Sequence, residues 1–179
     1  MKDVHLHLLE WIQSDRNFLK NMITGDETWI FEYNPETKRQ SKEWHTSASP
    51  HLKKARLSKP KIKSMLICFF DSQGIVHAEF VPQGQTLSQF YHCEILERLR
   101  KRVVRVGPSF ADNWMLHHDN APCHTAITVI EFLAKKGFPV VPQPPYSPDL
   151  SPCDFFLFPK LKFHLKGRHF ERWKTSKKL

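Results

Sequence analysis

Apolar spacing along this chain switches between helical and strand periods in an order that leaves few architectures open. Residues 4–23 have helical spacing, with Leu8, Trp11 and Ile12 on one side, until Thr24-Gly25 breaks the pattern. Thr28–Tyr33 is rich in aromatic and β-branched residues and reads as a strand. Met65–Phe70 is a continuous apolar run, as expected of a central strand. After the turn Asp71-Ser72-Gln73-Gly74, residues Val76, Ala78 and Phe80 alternate with His77 and Glu79 in the returning arm of a hairpin. Residues 88–105 read as a helix, with Leu96, Leu99 and Val103 inward and Arg98, Lys101, Arg102 and Arg105 mostly outward. Trp114–His118 is a short strand, and Ala126–Lys136 is a helix closed by Gly137. Phe138–Val141 is a strand whose flanking prolines make it an edge candidate. Ser151 is placed to cap a last helix, with Pro152 at its first position and Gly167 at its end. Three strands followed by alternating helices and strands predict an α/β domain with a mixed sheet flanked by helices.

Composition narrows the partners. A chain of 179 residues is large enough for one domain with a real core. The net charge of +9, from 27 basic and 18 acidic residues, favours a polyanion, with nucleic acid first; a solvated basic surface is the plain alternative. No apolar run approaches the ~20 residues of a membrane span, and no secretory signal precedes the charged N-terminus, so no membrane partner is expected. The four cysteines form no CxxC pair, which suggests neither a zinc knuckle nor a disulfide framework and fits a reducing, intracellular setting.

Three aspartates stand in distinctive strings. They are Gly25-Asp26-Glu27-Thr28-Trp29-Ile30, His117-His118-Asp119-Asn120-Ala121-Pro122 and Tyr146-Ser147-Pro148-Asp149-Leu150-Ser151-Pro152-Cys153-Asp154. Between Asp119 and Asp154 lie 34 residues. Taken singly, each has an ordinary role: Asp26 as a turn residue, Asp119 in an Asx-turn, Asp154 at a helix N-terminus. Taken together, they form an all-oxygen donor set of the kind hard divalent cations prefer. Carboxylates converging from distant parts of a chain can hold two such ions, a device for phosphoryl transfer on nucleic acids.

These strings resemble the catalytic domain of mariner-type transposases, the branch of the Tc1/mariner superfamily with 34 residues between its last two aspartates. The likeness runs over roughly residues 5–170. It includes Phe80-Val81-Pro82-Gln83-Gly84-Gln85-Thr86, the segment Pro142–Pro152, and Phe155-Phe156-Leu157-Phe158-Pro159-Lys160-Leu161-Lys162. The branch of the family fused to a SET domain is also similar but carries Asn at the last acidic position, where this chain retains Asp154.

The resemblance implies an RNase H-like fold, with Asp26, Asp119 and Asp154 as catalytic residues holding two Mg²⁺ or Mn²⁺. It implies phosphodiester hydrolysis and strand transfer at transposon ends, DNA ends and target as partners, no organic cofactor, and a nuclear setting. A nucleic-acid-binding remnant or co-opted domain without turnover is the alternative function, and an RNase H-like enzyme acting on RNA–DNA hybrids is a third.

Further residues carry weaker expectations. The polar segment 34–60 is long enough to be functional, and the family likeness implies a clamp to a partner subunit, with Trp44 an anchor and a homodimer the result. Lys53, Lys54, Arg56, Lys59 and Lys61 there, and Lys160, Lys162, Lys166 and Arg168 on the last helix, are candidate phosphate contacts. His117, His118, Cys123 and His124 crowd around Asp119; zinc ligation is conceivable, but local packing or phosphate contact is favoured. Glu27 is expected to point away from Asp26, and Asp149 to be a turn residue.

The expected organisation is a helical linker over 1–24, the catalytic domain over 25–170 and a non-family tail over 171–179. The family's helix-turn-helix modules and its C-terminal helices have no counterpart here. A single deleted adenine in a family-like coding string yields Glu171–Leu179, so a frameshift in a genomic copy is the expected origin of the tail.

Overall fold

The computed structural model describes residues 2–37, 39, 40, 42, 46, 62–106 and 113–168. At its centre is a five-stranded sheet of β1 (Met22–Phe31), β2 (Lys63–Phe70), β3 (Ile75–Phe80), β4 (Met115–His117) and β5 (Val140–Val141), in the order β3-β2-β1-β4-β5. The first three strands pair antiparallel, whereas β4 and β5 join parallel to β1 and to each other. This is the mixed α/β sheet the element order predicts, with the Phe138–Val141 strand at the edge.

Residue alternation on β1 divides the molecule into two layers. Ile23, Gly25 and Glu27 share a face; Gly25 and Glu27 pair with Phe69 and Ile67 on β2, and Ile23 with Leu116 on β4. That face packs under α2 (Gln89–Val106), α3 (Pro122–Thr125) and α4 (Ile127–Lys136). Its core joins Ile23, Ile67, Phe69, Ile95, Leu96, Leu99, Val103, Leu116, Val129 and Leu133. Leu96, Leu99 and Val103 thus point inward as their spacing predicts. Thr24, Asp26 and Thr28 face the other way, beside Cys68, which packs with Cys153 and Phe158 of the last helical segment.

The N-terminal helix departs from its sequence pattern. α1 spans Lys2–Ser14, and β1 starts at Met22, not at Thr28. Asp15 ends the helix by accepting the Asn17 N–H at 2.8 Å, an Asx-turn that competes with continued winding. Phe18 then tucks in beside Trp11, ring centroids 5.9 Å apart, and is buried. Met22–Thr24 are claimed by parallel pairing to Met115–His117, so Gly25 lies inside a ladder instead of marking a break. Leu8 is half-buried, while Trp11 and Ile12 are exposed.

Two further differences concern termini. Gly137 closes α4 with φ 70°, as expected, but the short α3 in front of it has no periodic signature in four residues. Ser151 caps through its backbone alone: its carbonyl accepts the N–H groups of Asp154 and Phe155 at 2.9 and 3.1 Å, and Pro152 stands at the cap. Cys153–Leu157 is wound as a π turn, with the Phe158 N–H donating to the Cys153 carbonyl, before α5 (Phe158–Leu165) continues. Pro159 follows at once; it lacks an N–H and its ring crowds the carbonyl four residues back, which favours a widened turn there. Gly167, at φ 74°, ends the segment.

Candidate active site

Asp26 sits in the middle of β1, half-buried, on the face away from α2. Asp119 follows β4, the parallel neighbour of β1, so the parallel pairing carries it toward Asp26. Asp154 lies in the π turn on the Asp26 side of the sheet and is exposed. Asp119 and Asp154 line one cavity of about 480 Å³ together with Asn120, Gln143, Tyr146 and Ser147. Both carboxylates act on Asp26 electrostatically. Asp119 and Asp154 thus share one cavity, while Asp26 lies on the strand paired with the one that leads into Asp119 and is not among the cavity's lining residues.

Their charges are unevenly compensated. Burial pushes the Asp26 carboxyl up to about 7, and Glu27, Asp119 and Asp154 push the same way; the Glu27 N–H, 2.6 Å from Oδ1, opposes them. The reverse holds at Asp119. A hydrogen bond with His124 keeps its carboxyl below the usual range, and the Ala121 N–H adds to this. Both bonds fall on Oδ1, which leaves Oδ2 for another partner. A carboxyl that burial, with a smaller push from neighbouring acids, keeps from ionising would be relieved by a cation, and an all-oxygen set fits Mg²⁺ or Mn²⁺.

A buttress of histidines supports the site. His117 is buried between the Thr24 hydroxyl (3.3 Å) and Gln143 Oε1 (2.7 Å). Asn120 Nδ2 donates to the Gln143 carbonyl at 2.7 Å, and Gln143 Nε2 donates to the Ser147 carbonyl at 2.7 Å. This chain of bonds fixes the loop after β5 against the end of β4. His124 bridges two acids: Nδ1 is 2.7 Å from Asp119 Oδ1 and Nε2 is 3.2 Å from Glu27 Oε1. Glu27 does point away from Asp26, as strand alternation requires. His117 and His118 are held by local hydrogen bonds and ring contacts, whereas His124 belongs with Glu27 and His92 to a group that could share a metal, from which Cys123 is absent. Asp149 lies in a 3-10 turn, Pro148–Leu150. Sequence reasoning missed His92, which is buried against His124 with ring centroids 4.3 Å apart; nothing in its local string separates it from a core residue of α2.

The basic candidates divide. Lys53, Lys54, Arg56, Lys59 and Lys61, like Trp44, lie outside the described residues. Lys160 is exposed, 5.2 Å above the Phe156 ring, and Arg168 is exposed. Lys162 is half-buried in a small cleft with Trp29 and Asn34, and Lys166 forms a β-bridge with Asn34. The Gly167 N–H donates to the Asn34 carbonyl at 2.8 Å, so this end of the last helix anchors the start of the 34–60 segment.

Sheet order, flanking helices and acidic residues on β1 and just after its parallel neighbour β4 define an RNase H-like domain. Residues 34–111 match the family model described as transposase, partial DDE domain. The chain is 31% identical over 166 residues to the Mariner Mos1 transposase of Drosophila mauritiana, covering 91% of this chain and 47% of that protein. It is 30% identical over 157 residues to the histone-lysine N-methyltransferase SETMAR of Homo sapiens, covering 86% of this chain and 22% of that protein. A crystal structure of the Mos1 mariner paired-end complex with Mn matches at TM-score 0.85 and 31% identity, over 96% of this chain and 50% of that one. The corresponding complex with Mg matches at 0.84, with the same identity and coverage. These likenesses support a mariner-type transposase catalytic domain, and the chain spans about half of one curated relative and about a fifth of the other.

Proposed function

We propose that this domain cuts and joins DNA strands at transposon ends, with Asp26, Asp119 and Asp154 as its catalytic carboxylates. What supports this reading is that Asp119 and Asp154 line one cavity and that Asp26 stands on β1, whose parallel partner β4 runs into Asp119. Asp26, on a central strand, is the rigid member. Asp119 is oriented by His124 and the Ala121 N–H. Asp154, on the π turn, belongs to the helical segment that packs on the Asp26 side of the sheet. Together they would hold two Mg²⁺ or Mn²⁺, which supply an activated water or 3′-hydroxyl and stabilise the leaving oxygen of an in-line displacement. The carboxylates form no covalent intermediate; they place charge and orient the phosphodiester in the cavity beside Asn120, Gln143 and Ser147.

DNA is the partner this reading requires, and the paired-end complexes of Mos1 support it. The exposed Lys160 and Arg168, and the basic residues of the 34–60 segment, are the proposed backbone contacts. That segment is also the proposed dimer clamp, its start held by the Asn34–Gly167 bond. A domain acting on chromosomal DNA would work in the nucleus. Incubation of the 179-residue chain with supercoiled plasmid in Mg²⁺ tests the reading. Nicked circles that vanish in EDTA are expected. DNA binding without nicking under any divalent cation would leave the non-enzymatic alternative in its place.

A further inference from the structure

Behind the acidic centre, in the other layer, lies a second group of metal-ligand chemistry. Glu27 on β1, His92 on α2 and His124 on α3 each bring one donor atom within 4.8 Å of the others. Glu27 Oε1 is 3.2 Å from His124 Nε2 and 3.9 Å from His92 Nδ1. Ligand atoms around a tetrahedral ion with bonds near 2.0–2.1 Å stand roughly 3.3 Å apart, so small side-chain adjustments suffice. His92 and His124 are almost wholly buried, at 2% and 1% exposure. Both ring nitrogens of His92 lack a hydrogen-bond partner. A buried imidazole with neither nitrogen satisfied carries a desolvation cost that ordinary core packing does not repay.

We propose that Glu27, His92 and His124 form a structural site for a borderline divalent cation of the Zn²⁺ class, separate from the aspartate centre. Two imidazoles and one carboxylate are a zinc-type donor set, and nitrogen ligands select against Mg²⁺. His124 has the arrangement that metal-bound histidines favour. One ring nitrogen faces the ion, while the other holds its proton toward a carboxylate, here Asp119 Oδ1 at 2.7 Å. A water completes the fourth position. The ion would tie α2 and α3 to the strand that carries Asp26, and through His124 it would hold Asp119 in place. His118 packs against both rings, at 5.1 Å from His124 and 6.4 Å from His92, but stands outside the donor group.

The test uses the full chain with Asp26→Asn and Asp154→Asn, which removes the competing acidic centre. Metal-free protein is dialysed against Zn²⁺ in excess Mg²⁺ and its zinc content measured. Co²⁺ is added in parallel, and its ligand-field spectrum reports nitrogen coordination at four-coordinate geometry. One Zn²⁺ per chain, a tetrahedral Co²⁺ spectrum and a Zn²⁺-dependent rise in Tm are expected. His92→Gln, and independently Glu27→Gln, should weaken Zn²⁺ at least about 10-fold and abolish most of the Tm rise. No stoichiometric zinc uptake in the background protein would overturn the proposal. So would zinc affinity and Tm response unchanged in whichever of the two variants folds. Neither readout depends on DNA cleavage, so the site stands or falls apart from the nuclease reading.

Discussion

His124 Nδ1 lies 2.7 Å from Asp119 Oδ1, and that bond joins the two layers of the molecule at the active centre. His124 is buried on the α2 side, whereas Asp119 opens into the cavity it shares with Asp154. Burial alone would push the imidazole down; hydrogen bonds with Asp119, Cys123 and Glu27 outweigh it and hold the ring well above its ordinary range. His124→Gln should lower Mg²⁺-dependent nicking about 10- to 100-fold by freeing Asp119 to swing, with DNA affinity little changed. Single-turnover nicking beside a binding titration checks this. Equal losses in both would mark His124 as a folding residue only.

Gly25 is required by packing. A Cβ there would fall inside the Phe69 ring, its partner on β2, and Phe69 belongs to the buried core. Gly25→Ala should destabilise the fold by roughly 1–3 kcal/mol, because the ring or the strand must move. Chemical denaturation with an unchanged m-value measures it. The combination with Phe69→Leu should recover part of the loss, since the two sites share one space.

Glu79 and Arg98 join β3 to α2 through two bonds, of 2.7 and 3.0 Å. Burial would raise the Glu79 carboxyl, but bonds from His77 and Arg98 override it and bring it down to about 2, from an ordinary 4.5. A carboxyl lowered on folding stabilises the native state above its unfolded pKa and loses that contribution as pH falls toward the folded one. The contribution is therefore complete above about pH 4.5 and fades toward pH 2. Because Arg98 is partly solvated, the pair is worth about 1–2 kcal/mol. Glu79→Gln should cost that much at pH 7 and flatten the acid limb of a Tm-versus-pH series. An unchanged acid limb would count against the linkage.

Tyr146 has φ 55°, the positive value recorded for a non-glycine among the described residues, and its side chain is fully exposed on the rim of the Asp119–Asp154 cavity. An aromatic ring held out beside a phosphodiester site suits base stacking. Tyr146→Ala should weaken binding of single-stranded or nicked DNA about 5- to 100-fold, while Tyr146→Phe keeps it. Equal binding by all three proteins would remove the stacking role.

Much of this architecture is legible in the sequence, for identifiable reasons. Met65–Phe70 is an unbroken apolar run and residues 88–105 carry a helical period, and their buried positions follow from these patterns. The three aspartates are legible as a set because their strings are specific. The start of β1 is not, because Met22–Thr24 become a strand only through pairing with β4, a partner far away in the chain. The π turn at Cys153–Leu157 also escapes local rules, since the signal preceding it, Ser151-Pro152, is that of an ordinary helix start. His92 is invisible for a similar reason: only the packing of α2 on α3 brings it to His124 and Glu27.

The most direct test of the account is single-turnover nicking of transposon-end DNA by Asp26→Asn, Asp119→Asn and Asp154→Asn, each beside the parent chain at matched folded fraction. Three shared metal ligands predict that every variant loses at least about 100-fold in Mg²⁺ while still binding DNA. If any one of the three cuts at the parental rate, the cation centre is not built from these aspartates, and the catalytic assignment fails.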